Sequence, residues 1–177
     1  MENSSKNLKI LSLGQQNVGK TNLIYRFVED KFFDNKIISC EIKCKEVILS
    51  NKEFVNVNFW DNCCNETKYL LKPTKIHLKD VDGILLIYDV NNKSTLDDLN
   101  ILLENIKGFI SNKIPIILIG NKKDIKDANY PVSTENGKAF ADKNRLFNFY
   151  EVSAKENINV KDSFLCLIEK AYQTKFS

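Results

Sequence analysis

The sequence predicts an α/β domain with a mostly parallel six-stranded sheet, one antiparallel edge hairpin and helices on both faces. Two observations lead there. Short apolar runs take turns along the chain with segments of helical period, the pattern of strands linked by crossover helices. One pair of strand-like runs is instead joined by the tight turn Ser50-Asn51-Lys52-Glu53, which makes it a hairpin.

The elements follow in order. Leu8 to Leu13 is a short buried strand that runs into a glycine-bearing loop. Thr21 to Glu29 is a helix with Leu23, Ile24 and Phe27 on one side. Ile42, Val47 and Leu49 mark the first arm of the hairpin, and Phe54 to Trp60 the returning arm. Gly83 to Asp89 (GILLIYD) is the type of strand buried on both faces. Ser94 to Ile110 is an amphipathic helix, because Leu96, Leu99, Leu102, Leu103 and Ile106 recur at three and four residues. Pro115 to Ile119 is a further buried strand. Ser133 to Asn144 is a helix capped by Ser133 or Thr134. Phe147 to Val152 is the last strand and Val160 to Tyr172 the last helix. No repeat, linker or low-complexity tract divides the chain, so residues 8–175 form one domain after a flexible tail at 1–7.

Bulk composition bounds the class. A chain of 177 residues, 43% hydrophobic and 28% charged, can bury a full core. The net charge of +3 points to neither nucleic acid nor membrane as a partner. Its basic residues are lysines apart from Arg26 and Arg145, and with the abundance of Asn and Ile this reads as coding bias. The cysteines are Cys40, Cys44, Cys63, Cys64 and Cys166, an odd number with no apolar signal before them, as expected of reduced thiols in the cytoplasm. No apolar run has the length of a membrane span. Glu2 excludes N-myristoylation, and Lys175-Phe176-Ser177 carries no prenylation cysteine. The expectation is a cytoplasmic monomer, peripheral on membranes only if a longer lipidated tail exists.

The first chemical motif is Gly14-Gln15-Gln16-Asn17-Val18-Gly19-Lys20-Thr21, which fits G-x-x-x-x-G-K-[ST] between a strand and a helix. Its backbone N–H groups can wrap phosphates at the positive end of the helix. Lys20 would reach the outer phosphates, and the Thr21 hydroxyl would bind Mg²⁺, a hard ion that takes oxygen ligands. The contact set expected from this loop is Gln16, Asn17, Val18, Gly19, Lys20, Thr21 and Asn22.

The second motif, Asn121-Lys122-Lys123-Asp124, follows a buried strand. A carboxylate there can accept hydrogen bonds from the ring N–H and exocyclic amine of guanine. Adenine lacks that donor pair and would strand the carboxylate unpaired, at a cost of about 1–3 kcal/mol or more. Ser153-Ala154-Lys155 follows the last strand in the same way, and the Ala154 N–H can meet the guanine carbonyl oxygen. Alone, Ser-Ala-Lys is a common loop sequence; its order after the Asn121 to Asp124 motif makes it informative.

With this ordered set in place, the chain resembles a P-loop small G domain, a GTPase of the Ras superfamily, and most of all its Rab branch. The resemblance runs from about Lys9 to Tyr172. Trp60-Asp61 and Tyr88-Asp89-Val90 favour the Rab branch. It implies GTP and GDP as ligands with Mg²⁺. It also implies that Phe32 stacks edge-on against guanine, that Ser39 is the switch I hydroxyl on Mg²⁺, and that Asp61 holds the ion through water. Effectors, exchange factors and GTPase-activating proteins are the implied partners.

Four departures stand out. Where the family's switch II has Asp-x-x-Gly-Gln, this chain has Asp61-Asn62-Cys63-Cys64-Asn65. Cys64 carries a Cβ that makes positive φ costly, by about 1–2 kcal/mol. Asn65 is one methylene shorter than the water-positioning glutamine, and misplacement by about 1 Å can cost two orders of magnitude in rate. Slow hydrolysis is therefore expected, with Lys20 and Asn65 as the catalytic pair. Gln16 stands where a small residue is frequent and can crowd the γ-phosphate. Glu41 replaces a glycine after switch I. Of the Rab aromatic trio for effector reading, Trp60 remains while Cys44 and His77 fill the other places; these two are too few for a metal site. A redox role for Cys63 and Cys64 is disfavoured by Asp61 and Glu66. Two rival readings remain open: a nucleotide-locked scaffold, kept alive by switch II, and an ATP-dependent P-loop kinase, disfavoured by Asp124.

Overall fold

A computed structural model describes residues 6–35, 41–61, 78–125 and 132–176. Its strands are β1 (Asn7–Leu13), β2 (Ile42–Ile48), β3 (Phe54–Asp61), β4 (Gly83–Asp89), β5 (Ile116–Asn121) and β6 (Asn148–Glu151). The described helices are α1 (Lys20–Glu29), α2 (Lys93–Lys107), α3 (Thr134–Lys143) and α4 (Val160–Phe176). The sheet is six-stranded in the order β2-β3-β1-β4-β5-β6. Only β2 and β3 are antiparallel, with Ile42 opposite Trp60 and Ile48 opposite Phe54. Every other neighbour pair is parallel.

Both faces of the sheet are covered, which is why its central strands read as unbroken apolar runs. On one face α1 lays Leu23, Ile24 and Phe27, and α4 lays Phe164, Leu167 and Ile168, against Ile10, Val57, Phe59 and Ile87. The Phe27 and Phe164 rings stack there at 4.5 Å. On the other face Leu96, Leu99, Leu103 and Ile106 of α2 and Phe140 of α3 meet Leu11, Leu86, Tyr88 and Leu118.

The expected elements are all present, with shifted ends. β1 begins at Asn7, and the Asn56 N–H donates to Lys6 O at 2.9 Å, so the sheet takes in the last residue assigned to the tail. α2 stops at Lys107 rather than Ile110, because the chain tightens past Gly108 with the Phe109 N–H bonded to Ile106 O. α4 continues past Tyr172 to Phe176, held by the Lys175–Asp82 ion pair and by Phe176 packing on Tyr172. Ser133 is the α3 cap, its Oγ accepting from the Asn136 N–H at 3.2 Å.

This topology already places a site. The carboxyl ends of β1, β4, β5 and β6 lie along one edge of the sheet. α1, which follows β1, packs on one face, and α2, which follows β4, packs on the other. The crevice between them is a topological switch point, where open α/β sheets bind ligands.

Candidate functional site

The loop from Leu13 to Lys20 is built around two glycines. Gly14 has φ +151° and Gly19 φ +99°. A Cβ on Gly19 would lie 2.3 Å from Asn121 Nδ2, and one on Gly14 would lie 2.2 Å from Ile87 O. The motif's glycines are therefore required by backbone conformation and by close approach together. Gly19 caps α1 without a side chain, and no acidic residue stands in the helix's first turn, so its positive end stays uncompensated from within. Lys20 is buried, and its Nζ donates to Gly14 O at 3.0 Å and Gln15 O at 2.7 Å, which draws the ammonium over the loop. Gln16 and Asn17 are exposed on the rim, Asn17 with φ 64°. Val18 differs from its neighbours: its side chain is in the core, and only its backbone serves the site.

On the side of β3, the Thr21 hydroxyl donates to Asp61 Oδ2. Ser12 Oγ donates to Asp61 Oδ1 at 3.3 Å. Burial pushes the Asp61 carboxyl above the usual carboxylate range, against the downward pull of the Thr21 bond and the Lys20 charge. A half-buried carboxylate beside a hydroxyl is an all-oxygen donor set that gains from a hard cation, so these residues fit Mg²⁺.

The base-side motif is cross-braced. Asn121 is buried; its Nδ2 donates to Val18 O at 2.9 Å, and its Oδ1 accepts from the Ala154 N–H at 3.2 Å. One amide thus ties the phosphate loop, the end of β5 and the Ser-Ala-Lys loop together. The Ala154 N–H assigned to the base is engaged by Asn121 here, so contact with a ligand carbonyl would share or replace that bond. Ser153 is fully buried and does not face the cavity; its Oγ donates to Asp124 Oδ1 at 2.6 Å and so sets the carboxylate's rotamer. Lys122 sits at φ 69°, with its Nζ 2.7 Å from Asp89 Oδ2.

Together these loops enclose a cavity of about 430 Å³. Of the residues singled out in the sequence, Gln16, Asn17, Gly19, Lys20, Thr21, Asn22, Phe32, Asn121, Lys122, Asp124, Ala154 and Lys155 line it. Phe33, Asp34, Asn35 and Ile125 also line it without having been singled out. Ser39, Cys64 and Asn65, with Cys40, Cys63 and His77, lie outside the described residues. Cys44 is exposed on β2, where its thiol donates to Asn58 Oδ1 at 2.9 Å.

Sequence reasoning missed several supporting contacts, and it named Asn22 only as part of the phosphate-loop contact set. Asn22 brackets the Phe33 backbone: its Nδ2 donates to Phe33 O at 3.0 Å and its Oδ1 accepts from the Phe33 N–H at 3.1 Å. Asp89 had been noted only as a mark of the Rab branch, yet it anchors Lys122. Arg26 reaches from α1 to the carbonyls of Ala154 and Lys155. The one signal for Arg26 was its rarity in a lysine-rich chain.

Comparison with known proteins agrees with this geometry. The model of the Ras family matches residues 9–173. The chain is similar to the GTP-binding protein yptV2 of Volvox carteri, at 32% identity over 162 residues, 90% of this chain and 73% of the relative. It is similar to the Ras-related protein Rab-12 of Mus musculus at 32% identity over 164 residues, 92% of this chain and 66% of that one. It is also similar to the GTP-binding protein ypt2 of Schizosaccharomyces pombe, at 34% identity over 170 residues, 95% of this chain and 82% of the relative. The chain belongs to the Ras family and is a small GTPase of its Rab branch.

Proposed function

We propose that this chain is a Rab-like switch that binds GTP and GDP with Mg²⁺, hydrolyses GTP slowly and signals its state to effectors in membrane trafficking. The observation that carries the reading is the single cavity lined at once by Lys20 and Thr21, by Asp124 and by Ala154. On this reading one cavity on one sheet edge offers both a phosphate end and a guanine end. The similarity to Rab-12 and the ypt proteins supports the trafficking role and a cycle run by exchange factors and GTPase-activating proteins.

Each residue has a definite task. Loop N–H groups from Gln16 to Thr21 and the start of α1 receive the phosphates, with Lys20 against the outer ones. Thr21, Ser39 and Asp61, the last through water, would hold Mg²⁺, which when bound neutralises phosphate charge. Asp124 accepts the two guanine donors while Ser153 holds its carboxylate in place. Phe32 supports the base from the side. Lys20 and Asn65 would act on the phosphoryl group and the attacking water, with Cys64 counted among the nucleotide contacts.

Competition against a fluorescent guanine nucleotide tests the base assignment. GDP and GTP are expected to displace the probe far better than ADP or ATP, and Asp124→Asn to shift preference toward xanthine nucleotides, whose C2 carbonyl would accept from the new amide. Equal competition by ATP and GTP would end the reading.

The nucleotide-locked scaffold stays as the second reading because Cys64 and Asn65 replace the glycine and glutamine of switch II. Single-turnover hydrolysis separates the two. Loss of one aimed transition-state contact costs about 10²–10³ in rate, so Cys64→Gly with Asn65→Gln is expected to accelerate hydrolysis while affinity holds steady. A wild type with no turnover, and with the same protease pattern in GDP and in a GTP analogue, favours the scaffold.

A further inference from the structure

From the contacts around α1 we infer that Arg26 is a positioning residue for base recognition: it aims the Ser-Ala-Lys loop at the 6-carbonyl of guanine. The inference rests on the guanine-nucleotide reading above and names a residue within that site which does not line the cavity.

The geometry is specific to a guanidinium. Arg26 Nε donates to Ala154 O at 2.9 Å, and Nη2 donates to Lys155 O at 3.1 Å. Nη1 donates to both Asp30 O and Asp30 Oδ1 at 2.9 Å. The Arg26 side chain is only 14% exposed, and its bond to Ala154 O is partly buried, while those to Asp30 and Lys155 O lie at the surface. One flat group thus spans two consecutive loop carbonyls and the C-cap of α1. A lysine ammonium, a point donor on a flexible stem, does not reproduce that fork.

Peptide planarity converts this hold into aim. A trans peptide unit fixes its N–H opposite its C=O. Clamping Ala154 O toward α1 therefore turns the Lys155 N–H away from α1. Clamping Lys155 O does the same for the Glu156 N–H, which donates to Ser153 Oγ at 2.9 Å. That serine in turn holds Asp124. Both Ala154 and Lys155 line the cavity, and the Ala154 N–H is held from the other side by Asn121 Oδ1. The loop is thus fixed between Asn121 and Arg26. Asp30 extends the brace, because its Oδ1 also accepts from Asn157 Nδ2 at 3.2 Å, further along the same loop.

The test is a set of affinities for the full chain with Mg²⁺, in wild type, Arg26→Lys and Arg26→Ala. Three probes are compared. GDP presents every guanine group; inosine diphosphate lacks the 2-amino group read by Asp124; 6-thio-GDP replaces the 6-oxygen with a weaker acceptor. If Arg26 aims the loop at the 6-position, its loss weakens GDP and inosine diphosphate alike, by about tenfold, the scale of one well-made hydrogen bond. The penalty on 6-thio-GDP falls to about threefold or less, because there is less of a bond to lose. An equal penalty on all three probes would show a merely structural brace and overturn the inference. So would no penalty at all, or loss of folding in both variants by circular dichroism. A wild type that binds ADP as well as GDP would instead overturn the guanine reading itself, and the two failures are told apart by wild-type data alone.

Discussion

Asp61 carries opposed demands. Its carboxylate faces the Thr21 hydroxyl and Ser12, and burial lifts its pKa above the usual range. A carboxyl whose folded-state pKa is raised stabilises the fold below its unfolded pKa, and that contribution is lost as pH rises through the raised value. At neutral pH without nucleotide the ionised group therefore opposes folding. Asp61→Asn is expected to raise the melting temperature at pH 7 in the presence of chelator, with the gain shrinking toward acid. The same variant is expected to bind Mg²⁺-nucleotide more weakly. Thermal melts across pH, with and without Mg²⁺-GDP, check both; a variant that melts lower than wild type at pH 7 in chelator contradicts the assignment. At this scale the motif residues were legible in sequence because their chemistry is local: a strand, a loop, then Lys20-Thr21 or Asp124. Their supports were not, since Ser12, Asp89 and Arg26 act across distances in sequence that no spacing rule covers.

At the scale of elements, α1 does more than cap the phosphate loop. Its first turn carries Asn22, whose amide holds the Phe33 backbone at both its N–H and its carbonyl. Tyr25, one turn on, meets the Phe33 ring edge-on at 5.1 Å. The segment bearing Phe32 is thereby fastened to the helix whose amino end follows the Gly14 to Lys20 loop. Asn22→Ala removes both bonds, each worth about 1 kcal/mol. GDP dissociation from the variant is expected to be several-fold faster, followed with a fluorescent analogue, while ADP remains a poor competitor. An unchanged off-rate alongside a lowered melting temperature would confine Asn22 to fold stability. Helix interiors and the unbroken run of β4 were readable because periodicity reports which faces are covered, and β4 is covered on both. Helix ends were less so: α4 outlasts its apolar pattern on the strength of Lys175 reaching Asp82, a contact made only in the folded chain.

Across the whole molecule, the sheet order was only partly legible. The hairpin turn announced the pairing of β2 with β3, whereas no residue announced the insertion of β1 between β3 and β4. Among the described residues no helix is long and apolar enough to cross a membrane. The feature with the widest reach is the Asn121 amide, bonded to Val18 O on one side and to the Ala154 N–H on the other. It ties the two halves of the cavity together, so on the proposed reading a nucleotide would bind as a bivalent ligand on a pre-spaced template. Once the base is seated, the phosphates face their loop at an effective concentration set by geometry rather than by supply. GDP is accordingly expected to bind orders of magnitude more tightly than guanosine or pyrophosphate added alone, a gap that calorimetry measures. Asn121→Ala is expected to narrow that gap more than it weakens either fragment. Escape then requires both ends to let go within one opening of the receptor. On the proposed reading, hydrolysis changes the nucleotide's state while it stays bound, and its release waits on whatever parts the two loops.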